Sequence, residues 1–212
     1  MSVELGMSMR EVNRAYYAAL FEKYGEDVRT LWQNKQSQEI RFSVLCRIGD
    51  LRGARILDVG CGLGDFFAYL RDRSIDVKDY LGLECVEEIR AAAEKRHPSA
   101  RFEGWDVLEL EDAGQFDWVF GSGLFALKGP DGDDYALRMV RKLFCLSTKG
   151  VGVNFLSALT KRPDGFSNYC HPADVLRTLA QEVSPIVELI HSYRPNDFTV
   201  FLYHEYSKEG RQ

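Results

Sequence analysis

The sequence predicts an α/β fold: a seven-stranded, mostly parallel sheet with helices on both faces, an antiparallel C-terminal hairpin and a short N-terminal helical cap. Three observations predict it. From Arg55 onward, short apolar runs alternate with stretches of helical period. The first run opens into a glycine-rich turn, Gly60-Cys61-Gly62-Leu63-Gly64. The last two runs flank Arg194-Pro195-Asn196-Asp197, a cluster of turn formers that predicts a hairpin.

Two helices precede the sheet. Over residues 11 to 24 a stripe of Val12, Ala15, Tyr16, Ala19 and Leu20 is spaced as an inward face requires, and Gly25 ends it. A second helix is expected from about Ser37 to Ile48, with Ile40, Val44, Leu45 and Ile48 inward. The strands follow: Arg55 to Val59, Tyr80 to Leu83, Ala100 to Glu103, Phe116 to Phe120, Gly150 to Leu156, Val187 to Tyr193 and Phe198 to His204. Between them helices are expected at Asp65 to Arg73, at Val86 to Arg96 before Pro98, at Asp133 to Ser147, and after Pro172, which suits a first helical position. Residues 1–50 are read as the helical cap and 51–212 as the sheet domain, together one unit of 212 residues.

Composition narrows the function. At 45% hydrophobic and 28% charged residues the chain has the balance of a packed globule. A net charge of -5 gives no electrostatic reason to seek a polyanion, so nucleic acid is disfavoured and a small-molecule partner expected. No apolar run is long enough for a bilayer. The start, Met-Ser-Val-Glu, soon reaches Arg10 and Glu11 and lacks a secretory pattern, so a cytoplasmic monomer or homodimer is expected. The five scattered cysteines read as reduced and mostly buried. No His/Cys set has metal-ligand spacing, and Asp131-Gly132-Asp133-Asp134 reads as a turn before a helix; no metal is expected.

The segment Ile56-Leu57-Asp58-Val59-Gly60-Cys61-Gly62-Leu63-Gly64-Asp65 carries the chemistry. Glycines let the backbone turn sharply and approach a ligand, and the next helix presents free N–H groups. A dinucleotide fingerprint would need glycine at position 65 and finds Asp65. With Asp58 just before the turn, the carboxylates suit a cationic or zwitterionic ligand better than a pyrophosphate.

Through Leu57 to Gly64 and the acids that follow, the chain resembles the class I S-adenosylmethionine-dependent methyltransferases, over about residues 52 to 160, and so a Rossmann-like fold is expected. The resemblance implies that Glu84, in Leu81-Gly82-Leu83-Glu84, holds the ribose hydroxyls, with Cys85 beside it. It implies that Asp106 meets the adenine amino group, with Val107 supplying an N–H. It places Gly121, Ser122, Gly123, Leu124 and Phe125 at the methyl-transfer site and the N-terminal helices over the cofactor, where Arg41 would pair with the methionine carboxylate.

Each reading has a plainer alternative. Asp58 and Asp65 would serve equally as helix caps, Arg41 as a surface salt bridge, and Cys61 as a merely small residue. Tyr16 fits the buried stripe, which leaves Tyr17 facing either the pocket or solvent. Trp32 belongs to a polar loop, Trp32 to Gln38, expected to touch ligand. His171 and His191 are the histidines to watch, whereas His97 and His204 read as surface and strand residues; Tyr17, Asn154 and His171 are the weak catalytic candidates. The expected activity is transfer of a methyl group to a small molecule. The alternatives are cyclisation or elimination of the cofactor's own side chain, with release of methylthioadenosine, and a non-catalytic binding module. Phe120-Gly121-Ser122-Gly123-Leu124 lacks the Asn/Asp-Pro-Pro-aromatic motif of amino-directed nucleic-acid enzymes.

Overall fold

A computed structural model describes residues 7–111, 116–129, 132–161 and 163–206. Ser8 and Glu11 form a reciprocal cap that starts α1 (Met9–Tyr24), and Gly25, at φ 56°, ends it. A 3-10 turn at Val28–Thr30 leads to α2 (Lys35–Leu45), where Asn34 accepts the Ser37 N–H at 2.8 Å. That cap starts the helix two residues earlier than its apolar pattern suggests, and Cys46–Ile48 continues as 3-10.

The alternating region follows as β1 (Arg55–Val59), α3 (Asp65–Asp72), β2 (Asp79–Leu83), α4 (Glu87–Arg96), β3 (Arg101–Glu103), β4 (Phe116–Gly121), α5 (Gly132–Leu146) and β5 (Ser147–Ser157). Then come β6 (Tyr169–Cys170), α6 (Pro172–Glu182), β7 (Val187–Arg194) and β8 (Asp197–Tyr203). The sheet runs β3-β2-β1-β4-β5-β8-β7, with β8 antiparallel to both neighbours and the first five strands parallel. This is the expected Rossmann-like sheet with its terminal hairpin.

The unexpected eighth strand has a local cause. β4 pairs with β5 as far as Val153 and then leaves; β6 takes the vacated edge at Leu156 and Ser157. The sheet order reverses between β1 and β4, so their carboxyl ends diverge into a crevice, the usual ligand position in such sheets. One face packs Val119, Val151 and Val153 under Val140 and Leu143 of α5; the other packs Ile56, Trp118 and Phe120 under Phe42, Leu45, Phe66 and Leu70 of α2 and α3.

Two sequence expectations need correction. The inward stripe of α1 is rotated: Ala15 and Ala19 are exposed, while Tyr17, Ala18 and Phe21 pack on Leu63, Val86, Ile89 and Ala92. His97 is not a surface residue. The end of α4 tucks it against Phe67 and Phe102, where it is 5% exposed. The chain start and Asp131 lie outside the described residues, and Gly132 opens α5. Among the described residues no helix is long and apolar enough to cross a membrane, and no group of His, Cys, Asp and Glu could hold a metal.

Candidate functional site

The turn after β1 is held by the neighbouring strand. Gly60 and Cys61 donate their N–H groups to the Leu83 carbonyl at 2.8 and 3.1 Å, and the Gly62 N–H donates to Glu84 Oε2 at 3.1 Å. Gly64 sits at φ 76°, and a Cβ there would meet His97 and Phe102 at 2.6 and 3.0 Å. At Gly62, φ 56°, a Cβ would collide with Leu31. Glycine is therefore required both by conformation and by close packing.

The acids around this turn have separate duties. Asp65 does not cap α3 with its side chain; it accepts Gln38 Nε2 at 2.8 Å and pairs with Arg96 at 3.1 Å, tying α2 and α4 to the turn. Asp58 is buried and accepts the Tyr80 hydroxyl at 2.5 Å. Burial raises its carboxyl to about 7, although the Tyr80 hydrogen bond works the other way. Glu84, also raised by burial, accepts N–H groups from Val86 and Gly62, which favour the charged form. Asp106 accepts the Leu108 N–H at 3.0 Å and pairs with Arg10 of α1 at 3.2 Å.

These groups open onto a cavity of about 940 Å³, near the top of the roughly 300–1,000 Å³ range of small-molecule sites. Asp58, Gly60, Cys61, Asp65, Glu84 and Cys85 line it, as do Asp106 and Val107. Gly62, Gly64 and Gly121 lie behind this wall: the Cβ positions of Gly62 and Gly64 face Leu31 and His97, and that of Gly121 faces Leu124. α1 contributes Asn13, Tyr16, Tyr17, Leu20 and Tyr24, spaced three and four apart on one face. Tyr16 is thus a lining residue rather than a core one. The two adjacent rings meet edge to face at 5.2 Å. The acidity of each is weakened by burial first; after that Asp164 acts on Tyr16, and Tyr16, Glu84 and Cys85 act on Tyr17.

Three further expectations change. Arg41, which lines the cavity, is not the surface residue of its plainer alternative: its Nη2 lies 2.7 Å from Asp197 Oδ1, its Nη1 donates to Ser37, and its plane covers Trp32. Phe125 turns into the core and stacks on Phe155 at 4.7 Å, because the chain reverses after Gly123. His171 is exposed just before α6 and is not among the residues that line the cavity. Ser122, Trp32 and Asn154 do line it; the buried Asn154 accepts the Gly123 N–H and donates to Ser122 Oγ, both at 2.9 Å, fixing the chain after β4.

Two loops supply a further stretch of the wall, through Ala126, Leu127, Asp164, Phe166, Ser167 and Tyr169. Residues 126–128 and 166–168 are zipped together by Asn168 N–H to Ala126 and Lys128 N–H to Phe166, and Asp164 ties the turn through Ser167 and Tyr169.

Residues 56–144 match the family model described as a methyltransferase domain. No curated protein sequence matches the chain. Among solved structures, the magnesium protoporphyrin IX methyltransferase of Synechocystis PCC 6803 with bound SAH is 15% identical, at TM-score 0.67 over 93% of this chain and all of that one. The DhpI–SAM–HEP complex is 16% identical, at 0.68 over 94% and 99% of the two chains. The CcbJ methyltransferase from Streptomyces caelestis is 13% identical, at 0.66 over 89% and 98%. At such identities these likenesses show a shared fold.

Proposed function

We propose that the chain is a class I S-adenosylmethionine-dependent methyltransferase that moves a methyl group to a small-molecule acceptor held in the same cavity. When bound, the cofactor supplies a methyl group activated by a sulfonium. The residues of the chain have to hold the acceptor in line with it and keep water out, and alignment alone is worth about 7–11 kcal/mol in favourable cases.

The observation that carries this reading is the union of the glycine turn and Glu84 at the wall of a cavity large enough for two ligands. A carboxylate has about four lone-pair sites, and the two backbone N–H groups leave Glu84 others for a pair of ribose hydroxyls. Asp106 and Val107 would receive the adenine edge. Asp58 and Asp65 would favour the cationic end, with Gly60, Cys61 and Cys85 in van der Waals contact. For the acceptor the proposal keeps Tyr16, Trp32, Ser122 and Asn154, under the cap formed by α1 and α2. Tyr17, whose acidity is weakened by burial first and also by the neighbouring Glu84, is assigned to the cofactor side.

The acidic charge balance supports a small molecule over a nucleic acid as acceptor. Five free cysteines support a reducing compartment, here taken as the cytoplasm, for a monomer or homodimer. Incubation with methyl-labelled S-adenosylmethionine and a panel of phenols, amines, thiols and carboxylates should label one class and release S-adenosylhomocysteine. Steady formation of methylthioadenosine without any acceptor would instead point to chemistry on the cofactor itself.

A further inference from the structure

We infer that the Ser122 hydroxyl, oriented by Asn154, donates a hydrogen bond to one oxygen of a carboxylate on the acceptor, and that the other oxygen takes the methyl group, so that the product is a methyl ester. The inference rests on the methyltransferase reading and names the acceptor for the same cavity.

β1 and β4 keep register up to Val59 and Gly121, so Gly60 and Ser122 leave the sheet side by side, and both line the cavity. The last pair of β5 with β4 is Val153 with Gly121. Asn154 comes next, and its buried side chain takes over the contact that the strands give up. Chemistry fixes its orientation: the Gly123 N–H can only donate, so the amide oxygen faces it and Nδ2 donates to Ser122 Oγ. That bond uses a lone pair of the hydroxyl. The Ser122 proton is left over, no group among the described residues accepts it, and the bond from Asn154 strengthens it as a donor.

The adjoining wall suits an anion and holds no base. Trp32 Cη2 lies 3.6 Å from where a Cβ of Gly123 would stand, and the Arg41 guanidinium is 5.0 Å from the Trp32 ring centroid. Arg41 and Arg194 share the single Asp197 at 2.7 and 2.8 Å, which leaves this trio a surplus positive charge. Among the described residues neither histidine nor lysine lines the cavity. Of its acids, Asp58, Asp65, Glu84 and Asp106 are assigned to the cofactor, Glu11 caps α1, and Glu109 is exposed in the turn after Asp106. Asp164 has both oxygens committed to Phe166, Ser167 and Tyr169. A phenol, thiol or ammonium would need a base to free its lone pair, whereas a carboxylate, ionised above about pH 4, arrives ready. Its oxygen attacks the methyl carbon, the O–C bond forms as the S–C bond breaks, and the electron pair stays on a now neutral sulfur. No proton moves.

The test uses the full chain, methyl-labelled S-adenosylmethionine, and aryl and alkyl carboxylates matched with the amine, thiol and phenol or alcohol of the same carbon frame. Alkali releases the label of a methyl ester as volatile methanol and leaves that of methyl ethers, thioethers and amines in place. Alkali-volatile label from the carboxylates is expected. Ser122→Ala should lower kcat/KM for the carboxylate, and its affinity for the chain saturated with S-adenosylhomocysteine, by about 10- to 100-fold. Calorimetry should show cofactor affinity unchanged, and Ser122→Thr should restore most of the loss. Asn154→Asp still accepts the Gly123 N–H, but its second oxygen captures the serine proton, so it should lose as much as Ser122→Ala, and the double variant no more than either. Alkali-stable label on an amine, thiol or phenol overturns the inference, as do carboxylates that take no label. Unchanged kinetics in Ser122→Ala, or a further loss in the double variant, removes the Ser122–Asn154 device. Failure of S-adenosylmethionine to bind at all is a different result, and it sinks the methyltransferase reading itself.

Discussion

Glu84 Oε2 accepts the Gly62 N–H at 3.1 Å, which makes the acid at the end of β2 and the glycine turn after β1 one mechanical unit. Its other oxygen takes the Val86 N–H at 2.9 Å and so fixes the start of α4. The carboxylate thereby stiffens the turn before any ligand arrives, and cofactor affinity should depend on it twice, through direct contact and through preorganisation.

Glu84→Ala is expected to weaken S-adenosylmethionine binding by at least about tenfold, since hydrogen bonds to a charged group are worth about 1.5–3 kcal/mol each. Glu84→Gln should lose nearly as much, because its NH2 group would face a backbone N–H donor in place of an acceptor oxygen. Isothermal titration measures both. An unchanged dissociation constant for the alanine variant would remove Glu84 from the cofactor site.

Gly64 and Gly53 offer a controlled comparison, since both have positive φ, 76° and 67°, but only Gly64 has neighbours where a Cβ would stand. Gly53→Ala meets open space and should cost about 1–2 kcal/mol from backbone conformation alone. Gly64→Ala adds the clash with His97 and Phe102 and should cost about 1–3 kcal/mol more. Equal melting temperatures for the two variants would show that the ring packing beneath the turn yields freely.

The sheet, the turn and Glu84 were legible because they depend on local patterns: apolar runs, glycines, and an acid directly after a strand. The face of α1 was not. Its apolar and aromatic residues, from Tyr16 to Leu20, spread around the helix because one side packs on α4 and another borders the cavity, so two stripes compete at one period. Phe125 was misplaced because a one-residue reversal at Gly123 decides its direction. The pairing of Arg41 with Asp197 was beyond reach, as 156 positions separate two residues that nothing local connects.

That pair makes its own prediction. Removing one partner of a buried ion pair typically costs about 3–5 kcal/mol because the other is left uncompensated. Here Arg194 Nε remains 2.8 Å from the second Asp197 oxygen, so Arg41→Met should fall at the lower end of that range. Adding Asp197→Asn should recover part of the loss in denaturant unfolding. A double variant less stable than Arg41→Met alone would mean that Arg194, not Arg41, is the partner that matters.

Asp58 should also leave a signature in the stability of the empty protein. Its carboxyl stands near 7 in the fold, against about 3.9 in an unfolded chain, so between those values the folded state binds the extra proton. The stability this proton contributes is complete below about pH 3.9 and is lost as pH rises through 7, by at most about 4 kcal/mol. Asp58→Asn carries no such charge, yet its side-chain oxygen can still accept the Tyr80 hydroxyl. Relative to the wild type, the variant should therefore become progressively more stable from pH 5 to pH 8, even as it loses affinity for the cationic ligand. Urea unfolding of both proteins across that range measures the difference directly. A stability gap that stays constant over that range would show that Asp58 is already ionised in the fold at pH 5, and that its buried oxygen is satisfied by something other than a proton.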